Sequence, residues 1–451
     1  MSVDIHSSKK VAFYTLGCKL NFSESSTLSR EFSRYGYREV EFHDSPDIYV
    51  INSCSVTDNA DKKCKKIIRK ALSNSPNATI AVTGCFAQLN PETIAEIPGV
   101  DFVIGADQKS QLPELIKNID RKSKQKVFHT KINNVEHFFP SYSFSEKVAY
   151  HHYDDITAND RTRSFLKIQD GCDYSCSFCT IPLARGKSRS GSIDEIKNQI
   201  IFLVSQGIKE IVLTGVNTGD FKTQDGKRFY DLLCEIENMK ESFRLRISSI
   251  EPNLLEDDII QLSAVSQKIM PHFHIPLQSG SDKILNRMRR RYLTGLYKER
   301  IEKIKSLIPH VCIGADVIVG FPGENENDFS MTCHFIKNLD ISYLHVFTYS
   351  ERPQTDAISL NDSVPQKIRS ERSAILHELS FQKRMFFYNS FQGQNMEVLM
   401  EAENKNGFMY GFTKNYIRVR IPYDPLLVNE LVWLILDKNN MGIKLKIENR
   451  K

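Results

Sequence analysis

Blocks of consecutive apolar residues alternate with stretches of helical periodicity along the first quarter of the chain. Val11-Ala-Phe-Tyr-Thr-Leu16, Asp47-Ile-Tyr-Val-Ile-Asn52 and Thr79-Ile-Ala-Val-Thr83 read as strands, with helices over Ser23–Tyr35 and Asp58–Ser73 between them. Strand, helix, strand, helix, strand predicts a parallel sheet, since each strand must return across a helix before pairing with the last. The same alternation returns from about residue 158 to 387. Arg163–Gln169, Ile208–Thr214, Phe243–Ser249, His272–Pro276, Cys312–Val319 and Ser342–Thr348 read as strands, with helical segments such as Ser192–Gln206 and Asn325–Leu339 among them. This predicts a partial (β/α) barrel, a fold that gathers its chemistry at the carboxyl ends of the strands.

The pattern changes after residue 388. Glu397–Met400, Asn406–Tyr410, Tyr416–Ile421 and Leu431–Leu436 are short, β-rich and separated by turn residues, as in a small antiparallel β-barrel. Tyr416, Arg418 and Arg420 alternate, which predicts one strand face carrying an aromatic and two cations, either solvated or set against an RNA backbone. Residues 121–160 have no sustained period and begin with Arg121-Lys-Ser-Lys-Gln-Lys126, so they read as a linker. The expected organisation is α/β: a parallel α/β domain over 9–125, a partial-barrel core over 158–387 and a small β domain over 388–451.

Composition narrows the setting. The chain has 451 residues with a net charge of +5, and neither the polar Met1–Lys10 nor any later stretch supplies a signal peptide or about 18 apolar residues in a row. A soluble, cytoplasmic protein with no membrane partner is expected, in a reducing compartment where clustered thiols serve metals or catalysis. Three basic runs lie beside segments that carry chemistry: Lys62-Lys63-Cys64-Lys65-Lys66, Arg185-Gly-Lys187-Ser-Arg189 and Arg287-Met-Arg289-Arg290-Arg291. Each alone reads as a solvated face; together they favour a polyanionic substrate.

Ten cysteines sharpen the picture. Cys172-Asp-Tyr-Ser-Cys176-Ser-Phe-Cys179 places three thiols too close together to be spares and one short of filling a four-coordinate metal site. An iron–sulfur cluster with one open iron suits that donor set. A structural zinc site is the alternative, but it needs a fourth ligand, and the next candidates are Cys234 and His272. Each of the first three strands also runs into a cysteine, at Cys18, Cys54 and Cys85. The carboxyl ends of parallel strands share one edge, so these residues, distant in sequence, are expected to meet in a second three-thiolate site; buried packing thiols are the alternative. Cys64 falls mid-helix among lysines, away from that edge, and reads as an exposed or packing thiol, while Cys234, Cys312 and Cys333 read as buried spares. His272 and His274, alternating among apolar neighbours, read as structural histidines.

The Cys172/Cys176/Cys179 spacing resembles the radical S-adenosylmethionine (SAM) superfamily. Seven motifs in order extend the resemblance to the radical SAM methylthiotransferases over nearly the whole chain: Thr15-Leu-Gly-Cys-Lys-Leu-Asn21, Asn52-Ser-Cys-Ser-Val-Thr57, Thr83-Gly-Cys85, Gly171–Cys179, Leu213–Gly219, His274–Gly280 and Gly320–Glu324. That resemblance implies a methylthiotransferase domain, a radical SAM core and a TRAM domain. It implies two [4Fe–4S] clusters, on Cys18/Cys54/Cys85 and Cys172/Cys176/Cys179. The loops Thr214–Asn217, Ser248–Glu251, Gln278–Gly280 and Gly320–Glu324 each read alone as a plain turn or a ligand loop, but their shared strand-end position favours a SAM site, with contacts expected from Gly215, Asn217, Ser248, Glu251 and Gln278. The resemblance implies tRNA, an electron donor and a sulfur source as partners. Gly17-Cys-Lys-Leu-Asn21 and Leu344–Arg352 are similar to the branch that adds a methylthio group to C2 of N6-threonylcarbamoyladenosine at position 37 of tRNA, although Gln354 replaces the glycine usual after Arg-Pro. The alternatives are isopentenyladenosine tRNA or a ribosomal protein as substrate, or a non-catalytic RNA-binding module with zinc in both sites.

Overall fold

The computed structural model describes residues 8–118, 127–128, 138–144 and 162–441. Most of the expected linker, the first seven residues and the last ten lie outside the described residues.

The first unit is a six-stranded, wholly parallel sheet in the order β2-β1-β3-β4-β5-β6: β1 (Lys10–Thr15), α1 (Lys19–Arg34), β2 (Arg38–Glu39), β3 (Ile48–Ser53), α2 (Asp58–Asn74), β4 (Thr79–Gly84), α3 (Cys85–Leu89), β5 (Phe102–Ile104) and β6 (Val127–Phe128). The central strands β3 and β4 are buried throughout, as expected of a sheet covered on both faces. Their side chains divide between two cores: Tyr49, Ile51, Ile80 and Val82 pack with Ile68 and Ala71 of α2, whereas Val50 and Ala81 pack with Leu28 and Phe32 of α1. β2, β5 and β6 are too short to register in a hydrophobic pattern.

The core is a partial barrel. β7 (Ser141–Tyr142) pairs antiparallel with β8 (Arg163–Lys167); after the small ribbon β9 (Gln169–Asp170) and β10 (Arg189–Ser190) come β11 (Glu210–Thr214), β12 (Arg244–Ile247), β13 (His272–His274), β14 (Cys312–Val319) and β15 (Tyr343–Thr348). β8, β11 and β12 are parallel neighbours, as are β13, β14 and β15, and isolated bridges Leu245↔Ile269 and Ser249↔His274 join the two groups into one wall. Alternation decides which residues face out: Leu166, Ile211, Leu213, Leu245, Ile247, Phe273, Ile313, Ala315, Val317 and Leu344 pack under the surrounding helices. Arg163, Phe165, Lys167, Glu210, Arg246, His274, Asp316 and His345 occupy the alternate positions and line a polar lumen. β7 falls within the expected linker. Two residues carry no readable period, and their place is fixed by α1, where Arg30 donates to Tyr142 O at 2.9 Å and Ser23 Oγ lies 3.0 Å from Ser141 Oγ.

The last unit, β16 (Asn395–Met400), β17 (Phe408–Thr413), β18 (Arg418–Pro422) and β19 (Leu431–Ile435), is a curled antiparallel sheet in the order β18-β17-β16-β19. It closes the amino-terminal end of the barrel: Arg244 donates to Phe412 O, and Arg246 to Thr413 O and Lys414 O, at 2.9–3.1 Å. Tyr416 corrects an expectation. It lies before β18 with φ +67, half-buried, stacked on His272 at 4.2 Å and on Phe412 at 4.7 Å. Arg418 covers Tyr410 and Arg420 donates to Asn439 O, so the three residues do not form one open cationic face. Among the described residues no helix is long and apolar enough to cross a membrane.

Candidate active site at facing strand ends

Cys172, Cys176 and Cys179 lie in the loop after β9. Tyr174 N and Ile181 N donate to the sulfurs of Cys172 and Cys179 at 3.4 and 3.5 Å, and Arg290 Nη1 donates to Cys176 Sγ at 3.0 Å. Burial pushes the Cys172 and Cys179 thiols up to about 12. Thiols held up in this way, here only partly buried, give up their protons when a metal compensates the charge.

Cys18 is the N-cap of α1, Cys54 follows β3, and Cys85 opens α3 directly after β4, so the sheet brings the three expected strand ends together. They are close enough that Cys85 and Cys18, after burial itself, help to push the Cys54 thiol up to about 12. The approach needs glycine. Gly17 and Gly84 have φ +99 and +94, and a Cβ on Gly17 would fall 2.7 Å from Cys54 Cβ, while one on Gly84 would fall 2.3 Å from Ser53 O. Each triplet offers a cluster three thiolates. Their loops touch: Thr180 Oγ1, next to Cys179, donates to Ser55 O, next to Cys54, at 3.4 Å.

A buried charge network fixes this juxtaposition. Glu24 of α1 accepts from Lys109 at 2.5 Å, Lys167 at 2.9 Å and Arg185 at 3.0 Å, and Asp170 accepts from Lys167, Arg185 and Arg189 at 2.9–3.2 Å. Burial alone would raise the Glu24 carboxyl; Arg185, Lys109 and Lys167 outweigh it and hold it well below the usual carboxylate range. Arg185 also bonds Asn21 Oδ1 at 2.6 Å and hydrogen-bonds Cys85. Arg185 and Arg189 of this basic run therefore turn inward, while Lys187 stays exposed.

The residues expected at SAM lie at neighbouring strand ends of the barrel. Gly215 and Asn217 follow β11, Ser248 and Glu251 follow β12, and Gln278, at φ +64, pairs with Val317 beyond β13. Asn217 Nδ2, Ser248 Oγ, Gln278 Oε1 and the neighbouring Thr214 Oγ1 are buried without a hydrogen-bond partner among the described residues. Orphaned buried polar atoms are rare in folded proteins, and four at one strand-end edge suit a polar ligand. Gly215 admits no side chain, because a Cβ there would meet Gln169 Oε1 at 2.8 Å. Two residues invisible to motif reading complete the site. Gln169 accepts from Asn217 N at 3.0 Å and donates to Gly171 O at 2.8 Å, tying the ligand loop to the cysteine loop. Arg290 bridges Glu251 and Cys176.

Comparison with known proteins decides the family. Residues 166–336 match the Radical SAM superfamily and residues 10–105 the Uncharacterized protein family UPF0004. A threonylcarbamoyladenosine tRNA methylthiotransferase of Bacillus subtilis is 40% identical over 91% of this chain and 89% of its own length. One of Aquifex aeolicus is 38% identical over 91% of this chain and 96% of its own. This chain belongs to the radical SAM tRNA methylthiotransferases. The fold extends to a radical SAM methyltransferase of Kitasatospora setae, with a TM-score of 0.55 at 14% identity over 78% of this chain and 77% of that one.

Within this methylthiotransferase, the remaining expected residues sort by burial. Arg290 is an interior residue and does not offer a tRNA contact, unlike exposed Arg289, which pairs with Asp356. Cys64 is fully buried in the core under α2, and Cys312 is buried, whereas Cys234 and Cys333 are only half-buried. Gln354, at the departure from the family pattern, donates to Leu89 O across the domain junction at 3.3 Å. His272 is a structural histidine bonded to Tyr343 at 3.0 Å; His274 faces Asp316 in the lumen.

Proposed function

We propose that this protein adds a methylthio group to C2 of N6-threonylcarbamoyladenosine at position 37 of tRNA; its relatives from B. subtilis and A. aeolicus are named threonylcarbamoyladenosine tRNA methylthiotransferases. The observation that carries the reading is the contact between two cysteine triplets, each one ligand short, through Thr180 and Ser55. A reaction that both activates a C–H bond and delivers sulfur needs two adjacent centres, and two triplets supply them.

Cys172, Cys176 and Cys179 would hold one [4Fe–4S] cluster, and Cys18, Cys54 and Cys85 the other. With SAM and both clusters bound, the site supplies radical chemistry, which an aromatic C–H that no side chain can deprotonate at neutral pH requires. The protein's part is placement. Asn217, Ser248, Glu251 and Gln278 present polar atoms to SAM, and Gly215 lets backbone approach it. Arg290 holds Glu251 and the Cys176 loop in one geometry. Lys167, Arg185 and Glu24 lock the second triplet over the first, so the adenine must enter between them and bulk water is kept out. An electron donor and a sulfur source are the remaining partners, with two SAM consumed per product.

Anaerobic reconstitution should approach about eight iron atoms per chain, the content of two four-iron clusters. A stable content near four, or zinc in place of iron, would remove the two-centre reading. For the substrate, reconstituted enzyme is offered tRNA bearing threonylcarbamoyladenosine, tRNA bearing isopentenyladenosine, and ribosomal protein separately, with nucleosides and peptides read by mass spectrometry. Product on the first alone is expected; product on either other and none on the first would overturn the substrate assignment.

A further inference from the structure

Among the described residues, the barrel lumen holds one lysine that makes no direct ion pair. Lys19 leads α1 from the first domain to the open side of the barrel, its Nζ 5.9 Å over the ring of Phe165, a lumen-facing residue of β8. Among the described residues the other lumen cations are paired: Arg163 with Glu401, Arg244 with Glu397, Arg246 with Glu210 and Lys167 with Glu24 and Asp170; the His274 ring hydrogen-bonds Asp316 at 2.8 Å. Lys19 makes no hydrogen bond or salt bridge there. Lys19 is only partly exposed, and a lysine held in no salt bridge beside other cations is a ready seat for an anionic ligand.

One wall of the same space is flat. The rings of His274 and His345 stack at 5.2 Å and 13°. Although His274, Asp316 and His345 place donor atoms within 4.8 Å of one another, near-parallel stacked rings cannot both hold one metal ion in their planes, so the cluster is a poor metal site. Burial and His274 hold the His345 ring down at about 4, which leaves it an uncharged surface at neutral pH. Tyr343 covers Gly314 so closely that a Cβ would fall 2.3 Å from its ring, which closes the space from below.

We propose that this lumen receives an acidic group appended to the substrate base, its carboxylate landing on Lys19 and its planar portion lying against the His274–His345 wall. The inference rests on the reading of the substrate as threonylcarbamoyladenosine, whose appended group has a planar urea and ends in a carboxylate. A backbone phosphate, flanked by sugars on both sides, cannot descend between the strands. The carboxylate of SAM is the other source of the same chemistry.

The test uses anaerobically reconstituted wild type, Lys19→Met and Lys19→Arg with two substrates: tRNA carrying threonylcarbamoyladenosine, and the same tRNA with that carboxylate converted to its methylamide. Wild type should favour the carboxylate form by roughly a hundredfold in kcat/KM, the usual loss when one member of a buried charge pair is removed. Lys19→Met should lose most of that preference, Lys19→Arg should keep part of it, and the KM for SAM should not follow the preference. Wild type that turns over both tRNAs equally overturns the proposal without any variant. So does a Lys19→Met enzyme that keeps the full preference, or one whose only defect is a raised KM for SAM, which would assign the carboxylate to SAM. Wild type inactive on threonylcarbamoyladenosine tRNA but active on isopentenyladenosine tRNA instead removes the substrate reading, and this inference with it.

Discussion

Replacing Glu24 by Gln tests whether the buried charge network holds the two cysteine triplets together. The substitution keeps size and shape but removes the charge shared by Lys109, Lys167 and Arg185 at 2.5–3.0 Å. Lys167 and Arg185 keep Asp170, whereas Lys109, with a side chain only 4% exposed, keeps no carboxylate among the described residues. Leaving one buried charge uncompensated costs about 3–5 kcal/mol. Urea unfolding of the iron-free protein, read at the first transition because a three-unit chain need not unfold in one step, should show that loss. Adding Lys109→Met to Glu24→Gln removes the stranded ammonium and should recover at least about 1 kcal/mol. The pH dependence has a fixed sign. A carboxyl held below its unfolded value contributes its full stability above about pH 4 and loses it as pH falls towards the folded value, so wild type and Glu24→Gln should converge in acid. A Glu24→Gln protein within about 1 kcal/mol of wild type at pH 7, or a double variant no more stable than the single, would refute the reasoning.

Cys176→Ala should abolish SAM cleavage while Cys54→Ala spares some of it and stops sulfur transfer; equal loss of cleavage in both, with iron still bound at the untouched triplet, would disprove a division of labour. Gly84→Ala forces a side chain at φ +94 against Ser53 O, a strain of roughly 1–3 kcal/mol, and iron should fall from about eight towards about four atoms per chain. Arg290→Gln, which strands Glu251 beside Cys176, should cut SAM cleavage at least about tenfold, while Arg289→Gln, losing an exposed pair, should change it less than about twofold in parallel assays. Cys64→Ala should keep the full iron content and lose only about 1 kcal/mol in unfolding experiments, since its thiol packs in the core under α2.

Much of the architecture was legible in local pattern. β1, β3, β4 and β14 lie within a residue or so of their apolar runs, because a strand covered on both faces must be apolar along its length. The convergence of Cys18, Cys54 and Cys85 followed from topology alone: parallel strands put their carboxyl ends on one edge whatever the side chains between them. Sequence also located Asn217, Ser248 and Gln278 at strand ends, although it could not reveal that their polar atoms are left without partners. What tertiary structure decided were the fates of charges. Arg185, Arg289 and Arg290 look alike as sequence, yet two are buried and one is exposed, because burial depends on which distant carboxylate, Glu24 or Glu251, comes within bonding distance. Tyr416 continues an alternating pattern but turns at φ +67 to stack on His272, a contact between units that no local period encodes. Lys19 is one more lysine in a short motif until α1 is set against β8. Periodicity reports a residue's own face; an ion pair, a stack or an unpaired cation is a property of two surfaces, and only the folded chain brings the second one near.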